Sequence, residues 1–234
     1  MNDPLHDLSR LEGVPSALGA ALAAVDGVLR DRGMRTVEVA DVAAAAWASA
    51  RAAVRLADEP DPEQAAAAMV RMFAEVPAVA DLVRTAPGQA MARLHAVWGR
   101  GLLPDAGLGV VRSDPETAGR MRSLQQLLTT PTDAPALLLA GVVHAEVWSL
   151  QPFEQGSWAV ALGLEQAVVI ASGVDPRAVV PLAAGHHSVG DHPDALQAYT
   201  SGSADGLRIW LLHQAAAVTR AAEESPVNPD RRNA

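Results

Sequence analysis

The sequence predicts an all-α protein. Half of the residues are hydrophobic but only 3% are aromatic, and the apolar residues are mostly Ala, Leu and Val. Alanine and leucine are strong helix formers, and the long stretches of Ala, Leu, Arg and Glu lack the alternation that marks half-buried strands. At 234 residues, the chain is long enough to bury a substantial core as one domain, with or without an additional lobe.

The first part of the chain predicts a series of helices that follow an N-terminal arm over residues 1–14. Gly33 is expected to end the first helix, because glycine is the usual residue just past a helix C-terminus. Apolar residues three and four positions apart define the second helix. The segment DEPDP then interrupts the pattern. The predicted helices cover residues 16–32, 36–56, 62–75, 76–84 and 87–98.

The second part begins with the one plausible β segment, GLGVV at 107–111. Ser113 and Glu116 have the spacing of a capping box for a helix that runs to about residue 128. Two helices that are apolar on all sides follow, and this predicts that they lie side by side in the centre of the fold. The predicted elements are helices at 135–150, 157–172, 176–184, 192–200 and 204–224, and a disordered tail at 225–234.

Composition and charge exclude several classes of protein. The net charge is −9 and all 18 basic residues are arginines without a cluster, which argues against a nucleic-acid-binding protein. The absence of cysteine excludes disulfides and thiol chemistry. The N-terminus lacks the pattern of a signal peptide, and the most apolar stretch, 134–143, is too short to span a bilayer. We therefore expect a cytoplasmic protein that binds neither nucleic acid nor membrane.

The two central helices are joined by a segment with a recognisable pattern, QPFEQGSWAVAL at 151–162. It resembles the motif H-P-F-x-D/E-G-N-G/K-R-x-x-R of the Fic (Fido-domain) family. Pro152, Phe153 and Gly156 are in register with that motif. Gly173 also fits a small-residue turn that follows the motif in the family.

The resemblance extends to the flanks of the motif. Leu94-His95 and a G-x-x-R element ending at Arg112 match a helix and a short flap of the family, and His144 stands where the family often has histidine. The resemblance implies a Fic-like helical bundle with a β-hairpin flap near 107–112. In that architecture residues 87–224 form the core and residues 1–86 form an N-terminal helical region that packs on it. The implied flap residues are Gly107, Gly109, Val110, Val111 and Arg112.

The catalytic positions of the motif are changed in this chain, which makes it resemble a degenerate member. Gln151 stands at the position of the general base, and an amide cannot take up a proton near neutral pH. Gln155 stands at the acidic metal-binding position, where a neutral oxygen is a poor substitute for a carboxylate. Ala159 and Leu162 replace two arginines that hold nucleotide phosphates in the family, and each such contact is worth about 1.5–3 kcal/mol.

The retained positions predict architecture rather than chemistry. Gly156 permits a tight backbone turn, and Ser157 is expected to cap the helix that follows. That helix N-terminus, with Gly156 and Ser157, is an anion site in principle; a simple cap without an anion is the favoured interpretation. Trp158 is expected to fill the former nucleotide pocket.

Two functions follow from the resemblance. The first is a catalytically degenerate Fic-like protein that acts as an interaction or regulatory module, with an unknown protein partner bound through the flap by strand pairing. The alternative is a diverged Fic-type transferase that moves AMP or another phosphate-containing group onto a protein hydroxyl. It would need Glu154 or His144 as a substitute base and Arg112 as a substitute phosphate clamp. The combined loss of base, metal ligand and both arginines favours the first.

No cofactor is expected for an interaction module, whereas the transferase would require Mg²⁺ and ATP. No metal site is predicted. His186, His187, Asp191 and His192 are close in sequence, but a loop or solvated turn is favoured over a zinc site for this segment. His144, with Glu146 nearby, is favoured as a core histidine that supports the loop. The sequence leaves open whether the protein forms a homodimer.

Overall fold

The computed structural model describes residues 4–30 and 37–228. Over these residues the chain forms helices and no β-strand. The all-α prediction is therefore confirmed. The helices are α1 (Pro4–Leu8), α2 (Val14–Arg30), α3 (Val39–Leu56), α4 (Pro62–Val83), α5 (Pro87–Gly99), α6 (Pro115–Thr129), α7 (Ala136–Leu150), α8 (Ser157–Ala171), α9 (Leu182–Val189), α10 (His192–Thr200) and α11 (Ala204–Glu223).

Helices α7 and α8 lie side by side at the centre, as their apolar sequences predict. They pack along each other, and every residue of α8 from Ser157 to Val169 is buried. Helices α4 and α5 cover one side of α8, while α9 and α11 pack against each other and against this central pair. A helix without a polar face is stable only when other elements surround it, and that requirement places α8 in the core.

The N-terminal helices share one continuous hydrophobic core with the rest of the chain. Helix α2 packs against α11, and α3 lies against both α4 and α9. The expected N-terminal arm includes the short helix α1, whose Leu5 is buried. None of the helices within the described residues is both long and apolar enough to cross a membrane.

Two predicted helix boundaries are wrong for reasons that lie in the tertiary structure. The predicted break near residue 75 is absent, because α4 continues through Pro77 with Val76 and Val79 fully buried on either side. The helix predicted at 176–184 begins only at Leu182. The carboxylate of the buried Asp175 accepts hydrogen bonds from the amides of Val179 (3.2 Å) and Val180 (2.8 Å), and these bonds compete with helix formation.

Details at the ends of elements also differ from the predictions. Asp114, not Ser113, is the N-cap of α6, and its carboxylate accepts a hydrogen bond from the amide of Thr117. The first residues of the tail predicted to be disordered pack on the core, because Ser225 and Val227 are buried. The expected helix end at Gly33 and the last residues of the tail, 229–234, lie outside the described residues.

The predicted β-hairpin at 107–112 is wrong. A 3₁₀ turn covers Asp105–Gly107, and the chain then runs to Arg112 without forming a strand; the Val110 amide donates to the Gly107 carbonyl in a turn. Two other backbone amides of this stretch donate outside it: that of Gly109 to the His95 ring, and that of Arg112 to the Pro152 carbonyl. Backbone donors that are satisfied by another part of the protein do not need a hairpin partner. We call residues 103–112 the flap segment and 151–156 the motif loop.

Candidate functional site

The motif loop is held in place by its own buried residues. Gln151 ends α7 in the left-handed conformation (φ 50°), which turns the chain away from the helix axis. Phe153 is buried and stacks on the His95 ring with centroids 4.1 Å apart. Gly156 is also left-handed (φ 74°) and begins α8 as its N-cap. The Pro-Phe and Gly positions of the motif therefore shape the loop, as the resemblance implies.

Ser157 does not cap α8 as predicted. Gly156 occupies the N-cap position, and no side chain caps this helix. The fully buried Ser157 hydroxyl instead reaches back into the loop, where it accepts from the Phe153 amide (3.0 Å) and donates to the Phe153 carbonyl (3.1 Å). These two bonds close the motif loop onto the start of α8. They also occupy the hydroxyl that an anion at this helix end would need.

His95 joins the flap segment to the motif loop. The Gly109 amide donates to His95 Nδ1 at 2.8 Å, so Nδ1 is the acceptor and Nε2 carries the proton. Nε2 then donates to the Gln155 carbonyl at 3.0 Å. Burial lowers the pKa of His95, although its bond to Gln155 acts in the opposite direction, and a lowered pKa favours this neutral form. The ring is therefore a two-sided link between backbone groups.

Arg112, the expected substitute phosphate clamp, is directed at the protein itself. Its guanidinium donates to the Leu150 carbonyl (3.1 Å) and to the Thr117 hydroxyl (3.0 Å), and its backbone amide donates to the Pro152 carbonyl (2.8 Å). An arginine that satisfies a carbonyl at a helix C-terminus stabilises that end. Arg112 thus ties the flap segment to the end of α7.

The two positions that carry arginines in the Fic motif lie inside the core. Ala159 is 0% exposed and Leu162 is 1% exposed, so neither side chain faces a ligand. Trp158 is also buried and packs edge-on against Trp98, with ring centroids 5.7 Å apart. The Trp98 ring lies directly against Gly156. The first turns of α8 therefore present Trp158, Ala159 and Leu162 to the core, and Trp98 packs beside them.

The polar residues of the motif loop face outward. Gln151, Glu154 and Gln155 are exposed, and the side-chain amide of Gln151 donates to the backbone carbonyl of Trp148. A groove of about 360 Å³ lies between the flap segment and the loop. Its walls are mostly apolar, with Glu154 and Arg112 among its polar groups. Its lining residues are His95, Leu103, Pro104, Ala106, Gly107, Val110, Val111, Arg112, Glu154 and Gln155.

His144, the other expected substitute base, lies deep in the core. The side chain is 0% exposed, and its Nδ1 is 2.8 Å from an oxygen of Glu165 in α8. It does not bond to Glu146, whose carboxylate instead binds Arg120 (2.8 and 2.9 Å) and Tyr199. His144 is thus a core histidine, as favoured from the sequence, but with a partner that was not foreseen.

The prediction of a loop or solvated turn around His186 and His192 is wrong. His186 belongs to α9 and His192 begins α10, and they are 0% and 1% exposed. Together with His144 they lie around Glu165, while His187 and Asp191 are exposed. The sequence signal that would have revealed this cluster is Glu165 itself. A carboxylate inside an otherwise apolar helix requires buried partners.

We expect the variant His95→Phe to release the flap segment. Phenylalanine keeps the stacking on Phe153 but removes both ring nitrogens, which leaves the Gly109 amide and the Gln155 carbonyl without partners. The expected cost is about 1–3 kcal/mol of unfolding free energy. Hydrogen exchange at residues 107–112 should speed up, whereas His187→Phe, at an exposed position, should leave it unchanged. Equal exchange in both variants would contradict the role of His95.

Comparison with solved structures identifies the fold. A crystal structure of a Fic family protein from Desulfovibrio desulfuricans G20 superposes with a TM-score of 0.69 at 13% sequence identity, and the match covers 91% of this chain and 74% of that one. No family model matches the sequence. No curated protein matches it either. At this level of identity the likeness shows a Fic-like fold and not an activity.

Proposed function

We propose that this chain is a Fic-fold protein that no longer transfers nucleotides and that works as a protein-interaction module. The observation that carries the proposal is the burial of Ala159 and Leu162 at the two positions where the motif has phosphate-binding arginines. Without cations, the start of α8 offers a triphosphate no charge-assisted contacts. Trp98 and Trp158 take up space beside the same helix end.

The alternative, a diverged transferase, lacks support from the expected substitute groups. The guanidinium of Arg112 is bonded to Leu150 and Thr117, and His144 is enclosed between Glu165 and His192. Glu154 is exposed beside the groove and remains the one accessible carboxylate of the motif loop. A base alone does not transfer a nucleotide that is not bound and oriented.

The groove between the flap segment and the motif loop is the proposed interaction site. The amides of Gly109, Val110 and Arg112 already donate within the chain, which disfavours the addition of a partner strand. Contact between side chains of a partner and the walls of the groove fits the structure better than strand addition, because the walls are apolar and Val110 is 57% exposed at the groove. The volume is at the lower end of the range for binding pockets, ~300–1,000 Å³. We therefore infer that it accepts an apolar side chain of a partner protein.

We expect the unmodified protein to bind ATP with Mg²⁺ with a dissociation constant above ~1 mM. The missing phosphate contacts are the reason, and isothermal titration calorimetry is the measurement. Incubation with α-labelled ATP should transfer no label to the protein itself or to proteins of a lysate. A micromolar dissociation constant, or transfer that Glu154→Ala abolishes, would contradict the proposal and support the transferase.

The interaction site is tested by charge introduced into the groove. Val110→Asp places a carboxylate among apolar walls, whereas Leu22→Asp changes an exposed apolar residue on α2, 41% exposed, away from the groove. A partner captured from a lysate should bind Leu22→Asp like the wild type and Val110→Asp about tenfold more weakly or worse. If every captured protein binds both variants equally, the groove is not the interaction site.

A further inference from the structure

Five consecutive helices each place one ionisable side chain at a single buried point. His144 comes from α7, Glu165 from α8, His186 from α9, His192 from the start of α10, and His213 from α11. All five are buried, with exposures between 0% and 8%. We call them the histidine cluster. Because imidazole and carboxylate are costly to bury without strong partners, their convergence requires an explanation of its own.

Glu165 is at the centre of the cluster and orients two of its rings. One carboxylate oxygen lies 2.8 Å from His144 Nδ1, and the other lies 3.1 Å from His186 Nε2. The Gln214 amide donates to the latter oxygen at 2.7 Å. A carboxylate accepts hydrogen bonds, so His144 Nδ1 and His186 Nε2 donate to it.

This arrangement leaves the second nitrogen of each ring pointing away from the carboxylate. His144 Nε2 lies 3.1 Å from His192 Nε2, and His186 Nδ1 lies 3.1 Å from His213 Nε2. In a neutral imidazole whose one nitrogen donates to a carboxylate, the other nitrogen carries the lone pair, which here is Nε2 of His144 and Nδ1 of His186. A histidine held by a carboxylate on one nitrogen and unprotonated on the other has the form that metal ligands take.

The distances also suit a shared ion. His144, His186 and His192 each bring a ring nitrogen within 4.8 Å of those of the other two. Ligands at ~2.0–2.1 Å in a tetrahedral zinc site are roughly 3.3 Å apart, so small side-chain movements would close this set around one ion. His213 supplies the nearest further nitrogen. An all-imidazole set suits Zn²⁺, Co²⁺, Ni²⁺ or Cu²⁺ and disfavours Mg²⁺ and Ca²⁺, which prefer oxygen ligands.

We propose that His144, His186 and His192 form a structural binding site for a divalent transition metal, with Zn²⁺ as the favoured ion. Glu165 would orient His144 and His186 through hydrogen bonds to the ring nitrogens that do not bind the metal. One ion would join α7, α9 and α10. His144 is two helical turns before the motif loop, so this site is separate from the groove and does not depend on the proposed function. In the metal-free protein His144 Nε2 and His192 Nε2 hydrogen-bond to each other, and His186 Nδ1 hydrogen-bonds to His213 Nε2.

The test uses the full chain without a histidine tag. After chelator treatment, Co²⁺ should bind at one equivalent per chain with a visible ligand-field band, and Zn²⁺ should displace it and raise the melting temperature. His192→Gln should abolish binding, whereas His187→Gln, on the exposed side of α9, should bind like the wild type. Glu165→Gln should keep the ligands but weaken affinity about 10–100-fold, as expected for a residue that positions ligands.

The wild-type protein decides the outcome even if a variant fails to fold. Circular dichroism of each metal-free variant shows whether it is folded before the titration. If the folded wild-type protein binds no Co²⁺ or Zn²⁺, or if His192→Gln and the wild type bind equally, the proposal is wrong. The cluster would then be a hydrogen-bonded network alone.

Discussion

Gly156→Ala is expected to destabilise the protein by about 2–5 kcal/mol. An alanine Cβ at this position would overlap with the Trp98 ring, and the left-handed backbone (φ 74°) adds its own cost. A non-glycine residue in that conformation costs roughly 1–2 kcal/mol, and an overpacked core costs about 1–3 kcal/mol or more. Urea unfolding followed by circular dichroism measures the change in free energy.

Gly173→Ala is the matched control for this prediction. Gly173 has nearly the same backbone angle (φ 76°), but nothing lies within 4 Å of the position that a Cβ would take. It should therefore lose only the backbone contribution, ~1–2 kcal/mol. The difference between the two variants isolates the contact between the motif loop and Trp98. If both variants lose the same free energy, Trp98 does not constrain this turn.

Glu165→Ala is expected to lower the free energy of unfolding by about 3–5 kcal/mol when it is measured in the presence of a chelator. The change removes the common acceptor of His144, His186 and Gln214, and it leaves these buried donors without a partner. Removal of one member of a buried charged network has this magnitude, because the remaining groups stay desolvated. The chelator ensures that a bound metal does not contribute to the result.

Glu146→Ala serves as the comparison, because Glu146 is also a carboxylate on a core helix and is also bonded to two partners. Its partner Arg120 has a side chain that is 41% exposed, and water can replace the lost bonds. The expected cost is therefore about 1 kcal/mol. Similar losses for the two variants would mean that Glu165 does not organise the histidine cluster.

The helical architecture was largely accessible from the sequence. The all-round apolar patterns of α7 and α8 predict their central position, and Pro152, Phe153 and Gly156 predict the loop between them. These features are local: helix propensity, hydrophobic pattern and turn residues act over a few positions of the chain. The resemblance of that loop to the Fic motif agrees with the Fic-like fold that the structural comparison finds.

The errors concern groups whose partners are distant in sequence. The flap segment resembles a strand, but His95 and Pro152 supply its hydrogen-bond partners. Pro77 resembles a helix break, but burial on both sides keeps α4 intact. In each case tertiary contacts outweigh the local secondary-structure propensity, which is worth about 1 kcal/mol for most residues and up to ~3 kcal/mol for a proline inside a helix.

By itself the sequence predicted a helical protein whose central loop resembles the Fic motif, with Gln151, Gln155, Ala159 and Leu162 at the positions of the motif's catalytic and phosphate-binding residues. Only the tertiary structure decided where the remaining polar groups lie. It turned Arg112 toward the end of α7, and it brought His144 and His186 onto Glu165 and His192 onto His144. The physical reason is that the hydrophobic pattern of one helix indicates which of its side chains are buried. Which side chains meet depends on how the helices pack.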